Sequence, residues 1–186
     1  NNKINIIDTP GFDDFVGEVV SSLKVADTGI IVLNAANGVE VGTEIVWEYV
    51  EKYQTPAIFV INQIDHPKAD FERTLEQAKE RFGSKLVPVQ YPYNTGAEFN
   101  AIIDALRMVM YQFPANGGKP EKKPIPESEM ARANEMHNAL VEIAAENEEG
   151  LMEKYFEEGN LSEEELAKRM TIAFAKQQLL AVFFTC

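Results

Sequence analysis

GIIVLNAANGVEVGTEIVWEYVEKYQTPAIFVINQID, residues 29–65, reads as strand, helix, strand. Gly29–Leu33 and Ala57–Ile61 are short, nearly continuous apolar runs rich in Ile and Val, the pattern of strands buried on both faces. Between them Val46, Tyr49, Val50 and Tyr53 recur at helical spacing. Two such strands joined by a helix predict a parallel pair with a crossover. The same alternation extends outward. Ile4–Ile7, Leu86–Val89 and Leu179–Phe184 read as further strands. Val16, Val19, Val20 and Leu23 form one more amphipathic window, and Phe71, Leu75, Ala78 and Phe82 another. The expected fold is α/β, a mostly parallel sheet with helices on both faces.

Composition bounds the function. Apolar residues at 45% and charged residues at 25% of 186 exclude a largely disordered chain. The apolar runs are too short to cross a membrane, and the N-terminal stretch has no cationic region followed by a long apolar core. Cys186 is the single cysteine, so no intramolecular disulfide can form and a reducing, cytoplasmic compartment is expected. Two histidines and one cysteine cannot make a zinc site of ordinary spacing. The 17 basic and 30 acidic residues give a net charge of −13, which repels phosphates, so no sequence-specific nucleic acid contact is expected. The acid is concentrated: residues 127–170 hold 13 Glu against 4 Lys or Arg. That stretch is either a solvated helix face or a docking surface for a basic partner.

The pattern changes after residue 91. Tyr91–Gly96 is a turn-rich break, and Glu98–Phe113 fits helix or strand by periodicity alone. Pro114–Pro126 reads as an exposed loop rich in proline. Three helical segments follow, about 128–147, 151–158 and from a capping box at Ser162–Glu165 onward, the second ending at Gly159. Leu166, Met170 and Phe174 stripe the third. Residues 92–177 are therefore expected to be a helix-rich, acidic insert, with residues 1–91 and 178–186 forming the core.

Two short motifs carry chemistry. Asp8-Thr9-Pro10-Gly11 follows the first apolar run. A carboxylate at the C-terminal end of a parallel strand points into the crevice where ligands bind. Pro10 fixes φ, and bare Gly11 lets a backbone N–H approach an anion. One carboxylate for Mg²⁺ and one amide for a terminal phosphate is the logic of a nucleotide switch, although a plain strand-ending turn has the same composition. Asn62-Gln63-Ile64-Asp65 follows another strand. An Asn and an Asp there can present an amide and a carboxylate to a purine edge. A carboxylate accepts from N1–H and the exocyclic amine of guanine and is repelled by adenine. The two motifs in this order on successive strand ends are more specific than either alone.

On these residues the chain resembles a translational GTPase, and elongation factor G most. KINIIDTPGFDDF, residues 3–15, resembles the third GTPase motif of that family, and Asn62–Asp65 the fourth, usually Asn-Lys-x-Asp. GLMEKYFEEGNLSEEEL, residues 150–166, is similar to its insert subdomain, and AVFFTC, residues 181–186, to the strand leading into the fifth motif. The ribosomal-protection branch is similar too. The resemblance implies a P-loop-NTPase-like sheet that binds GTP or GDP with Mg²⁺. Asp8 would hold Mg²⁺ through water, Thr9 and Pro10 would flank it, and the Gly11 amide would face the γ-phosphate. Asn62 and Asp65 would read guanine, with Gln63 beside them. It also implies a ribosomal partner, with the acidic insert meeting the stalk protein.

Three departures stand out. Phe12 replaces a histidine that orients the attacking water, and a phenyl ring can neither donate nor accept that bond. This motivates an alternative, a GTP-sensing module that does not hydrolyse. Gln63 replaces a lysine whose longer stem covers the base. No G-x-x-x-x-G-K-[ST] occurs, so the phosphate loop, its helix and the switch threonine are expected to precede Asn1 in a longer protein. Other residues read as ordinary: Trp47, Tyr49 and Tyr53 as packing, His66 as loop, His137 as helix surface and Cys186 as a buried strand thiol.

Overall fold

The structure, a computed structural model, describes residues 3–11, 13–115, 117–145 and 163–186. Its centre is a four-stranded parallel sheet. Strands β1 (Gly29–Asn34), β2 (Ala57–Asn62), β3 (Leu86–Pro88) and β8 (Leu180–Phe184) lie in the order β1-β2-β8-β3. Helix α1 (Val16–Leu23) precedes β1, α2 (Val41–Tyr53) joins β1 to β2, and α3 (Phe71–Phe82) joins β2 to β3. The strand–helix–strand reading of residues 29–65 is what the chain forms.

Local sequence sets the helix ends. Asp70 caps α3 by accepting from the Arg73 amide at 3.0 Å, and Gly83, with φ of 101°, ends it. Phe71, Leu75, Ala78 and Phe82 are buried, as their spacing requires. They meet Phe59 of β2 and Trp47 of α2, whose ring centroid lies 5.5 Å from Phe59 and 5.2 Å from Phe82. Trp47, Tyr49 and Tyr53 pack on this core, as expected.

A second sheet is antiparallel, in the order β4-β5-β6-β7: Gln90–Pro92, Ala101–Asp104, Val109–Gln112 and Glu121–Lys123. Glu98–Phe113, ambiguous by periodicity, is mostly the β5–β6 hairpin. Helices α4 (Glu127–Ala145) and α5 (Glu163–Ala175) follow, so the expected helices come with a sheet that periodicity did not reveal. Leu140 and Val141 of α4 and Leu166 and Met170 of α5 bury against Val87, Val89 and Ala181. The segment 151–158, Gly159, Ser162 and the glutamates 146–149 lie outside the described residues.

Four expectations are corrected. Ile4–Ile7 is not a strand: residues 3–11 have no regular structure, and Ile4 and Ile6 are 82% and 87% exposed. A strand needs a hydrogen-bonded neighbour, and among the described residues none pairs with this stretch. Nor is β1 buried on both faces, because Ile30 and Val32 are 62% and 57% exposed and no described helix lies over them. His137 is half-buried, and its Nδ1 lies 2.8 Å from the Ala105 carbonyl. Cys186 lies beyond the end of β8 and is exposed.

Tyr91 of β4 ties the two sheets together. It is buried in the same core as Phe59 and Phe71. The Arg132 guanidinium of α4 stacks on its ring, 4.1 Å from the centroid, and pairs with Glu72 of α3. Burial, then the Glu129 charge, pushes the Tyr91 hydroxyl well above the ordinary tyrosine range. The folded state therefore keeps a proton that the unfolded chain releases near pH 10. This stabilisation is complete below about pH 10 and declines as pH rises above it. Chemical unfolding between about pH 9 and 11 should show wild type losing more stability than Tyr91→Phe; equal losses would remove Tyr91 as the cause.

Candidate functional site

The C-terminal edge of the parallel sheet is built by register. β1 and β2 pair from Gly29↔Ala57 to Asn34↔Asn62, so two asparagines end neighbouring strands at the same height. The Ala35 amide continues the ladder by donating to the Asn62 carbonyl at 2.9 Å. On the other side of β2, the Thr185 amide donates to Ile61 O and the Ile64 amide donates to Thr185 O, at 2.9 and 3.2 Å. The ends of β1, β2 and β8 thus converge on the loop after Ile61.

That loop is tightly made. The Asn62 Oδ1 accepts from the Gln63 amide at 2.8 Å. Gln63 is left-handed, with φ of 61°, a conformation uncommon outside glycine and asparagine. Its carbonyl accepts from the His66 amide at 3.0 Å, closing a turn whose central residues are Ile64 and Asp65. Ile64 is fully buried, and its carbonyl accepts from the Gly96 amide at 2.8 Å. A buried anchor beside an exposed acid fixes the backbone that carries Asp65. Asp65 is exposed, and among the described residues no hydrogen bond or ion pair engages its carboxylate. His66 serves the loop, its Nδ1 accepting from the Lys68 amide at 3.2 Å.

The first motif stands apart. Asp8 and Gly11 are exposed, Thr9 and Pro10 half-buried, and a Cβ added to Gly11 would meet nothing within 4 Å. Among the described residues no hydrogen bond joins residues 8–11 to the loop at 62–66. Phe12 lies outside the described residues. The structure brings Asn62, Gln63 and Asp65 together and leaves Asp8, Thr9, Pro10 and Gly11 at a separate surface. Among the described residues no three His, Cys, Asp or Glu side chains gather as a cation site. The donor set therefore fits the edge of a base and does not by itself fit a metal. An open cavity of about 870 Å³, lined by Asn94, Glu98, Phe99, Phe113 and Lys123, contains none of these residues.

Two members of the site were not singled out from sequence. Thr185 enters through its backbone alone, which no side-chain pattern could signal. Asn34 was legible in principle. GIIVLN and AIFVIN place an Asn at the same position after similar apolar runs.

Comparison with known proteins follows this geometry. Residues 1–182 match the family described as Elongation factor Tu GTP binding domain. A crystal structure of an elongation factor G-like protein from Thermus thermophilus is similar to this chain at 29% identity, with a TM-score of 0.82. The match covers 96% of this chain and 26% of that one, so this chain spans about a quarter of that protein's length.

Gln63 provides a test of the loop. Gln63→Gly can adopt the left-handed backbone freely, whereas Gln63→Val cannot do so without strain. Both lose the side-chain amide. Gln63→Val should be less stable than Gln63→Gly by about 1–3 kcal/mol in denaturant unfolding. Equal stability would mean that the left-handed turn is not held in solution.

Proposed function

The chain belongs to the family of elongation factor Tu GTP-binding domains, and on that premise we propose that it reads guanine through Asn62 and Asp65. The carrying observation is the Asp65 carboxylate, unengaged at the centre of a turn braced by β1, β2 and β8. A carboxylate there accepts from guanine N1–H and the exocyclic amine together, and adenine offers neither in that arrangement. The Asn62 Oδ1 is held by the Gln63 amide, so its amide group is the part left to face the base. Gln63 lies beside the base with a shorter stem than the family's lysine. Asp8 would hold Mg²⁺ through water, and the Gly11 amide would face the terminal phosphate. Both assignments rest on the family's motif at these positions.

The whole protein, in this reading, is an elongation factor G-like factor that couples GTP state to ribosome binding, with residues 92–177 as the inserted subdomain. The acidic stretch is its docking surface for the ribosomal stalk protein. Among the described residues no helix is long and apolar enough to cross a membrane. Phe12 favours the alternative of a GTP-sensing module that does not hydrolyse. On ribosomes, the full-length factor should associate more slowly when Glu146, Glu148 and Glu149 are reversed to Lys, and the deficit should vanish at high salt. Rates equal to wild type at every salt would leave those residues as a solvated face. Ribosome-stimulated phosphate release in the same assay would remove the non-hydrolysing alternative.

Asp65→Asn tests base reading directly. In the full-length protein it should lower GDP affinity and shift preference toward xanthosine diphosphate, whose 2-oxo group accepts from an amide donor. An unchanged order in competition binding would remove Asp65 from the site.

A further inference from the structure

We propose that Asn34 is a positioning residue for guanine recognition, acting through Gln63 on the turn that carries Asp65. The inference rests on the proposed function above and assigns a role to a residue outside both motifs. Asn34 ends β1 directly beside Asn62. Its Oδ1 accepts from the Ala36 amide at 2.8 Å and the Asn37 amide at 3.3 Å. Those two donors fix which end of the amide faces the loop. The Nδ2 is turned outward and donates to Gln63 Oε1 at 2.8 Å.

The support behind Asn34 is firm. The loop after β1 is clamped to the start of α3. The Ala35 carbonyl accepts from the Asp70 amide at 2.9 Å and the buried Thr74 hydroxyl at 3.3 Å, and the Ala36 carbonyl accepts from Arg73 Nη2 at 2.6 Å. Asn34 is therefore a fixed reference, and Gln63 is the member that needs holding. Its left-handed backbone is costly, and its long side chain is otherwise free to rotate. The same residue opens the turn, because its carbonyl receives the His66 amide with Asp65 between them. Loss of the Asn34 contact frees Gln63, and the orientation of Asp65 loosens with it. A carboxylate meeting two donors on one base edge is sensitive to such a shift, since both bonds need near-linear geometry.

The position also explains the glutamine. Asn34 presents a donor, so its partner must accept. A glutamine carbonyl does, whereas the ammonium of a lysine cannot. Asn34 and Gln63 thus form a matched pair, and the departure from the family's lysine has a partner on the neighbouring strand.

The test uses the full-length protein with GDP and inosine diphosphate, which lacks the 2-amino group that Asp65 reads. Asn34→Ala should weaken GDP binding by about 3- to 10-fold, the range one hydrogen bond supplies. Inosine diphosphate affinity should change little, so the preference between the two falls. A merely structural role would weaken both nucleotides equally, and that result overturns the proposal, as does an unchanged GDP affinity. Asn34→Asp should stay near wild type, because the Gln63 amide can turn its NH₂ toward the carboxylate while the backbone amides keep an acceptor. Gln63→Ala should match Asn34→Ala, and the double variant should be no worse than either single one. Additive losses would show that the two residues act separately and would also overturn the proposal. If the unsubstituted protein shows no guanine preference, the reading of the site fails first, and that outcome is distinct from a guanine-selective protein indifferent to Asn34.

Discussion

The parallel ladder between β1 and β2 is the constraint on which the rest of the structure depends. Six residue pairs run in register from Gly29↔Ala57 to Asn34↔Asn62. A shift by one residue would turn the Leu33 and Ile61 side chains out of the core and move both asparagines off the shared edge. Because Leu33, Phe59 and Ile61 are buried, the apolar core enforces the register. The polar loop geometry follows from it. Asn34 can reach Gln63 only because the strands end level, and Ile64 can bond Thr185 only because β8 lies on the other side of β2.

The second sheet is joined to this frame by shared burial. Tyr91, Ala101, Ile103 and Met110 belong to the same apolar cluster as Phe59 and Leu86. The Gly96 amide on the carbonyl of Ile64 carries the connection to the loop that presents Asp65. Polar groups inside the second sheet are satisfied locally. Buried Asp104 accepts from the Arg107 amide at 2.9 Å and from Gln90 Nε2 at 3.3 Å, and its carboxylate pairs with the Arg107 guanidinium at 3.3 Å. A buried carboxylate without such partners would be strongly destabilising. Met108, left-handed at φ of 51°, completes that hairpin.

The candidate site divides into an assembled half and a separate half. Asn62, Gln63 and Asp65 are held by hydrogen bonds from three strand ends. Asp8 to Gly11 sit on an exposed stretch with no strand to brace them among the described residues. Motif chemistry alone treats the two halves alike. Bracing separates them, and bracing is what turns a loop of suitable residues into a selective one.

By itself the sequence determined the α/β alternation, the parallel pairing of residues 29–65, the helices over 71–82 and 127–145, and the base-reading motif. Each of these is local: periodicity, turn residues and a short run of polar groups at a strand end suffice. Ile4–Ile7 shows the limit of such reasoning, since an apolar run becomes a strand only where another strand receives its hydrogen bonds. Glu98–Phe113 shows a second limit, because a short amphipathic stretch carries no signal that it will fold back on itself as β5 and β6. Tertiary structure alone decided which strand ends meet. Asn34 and Gln63 are 29 positions apart and Thr185 lies far beyond both, so their convergence comes from sheet order and register. The physical reason is that pairing between distant segments is set by how whole faces bury together, a property no window of neighbouring residues contains.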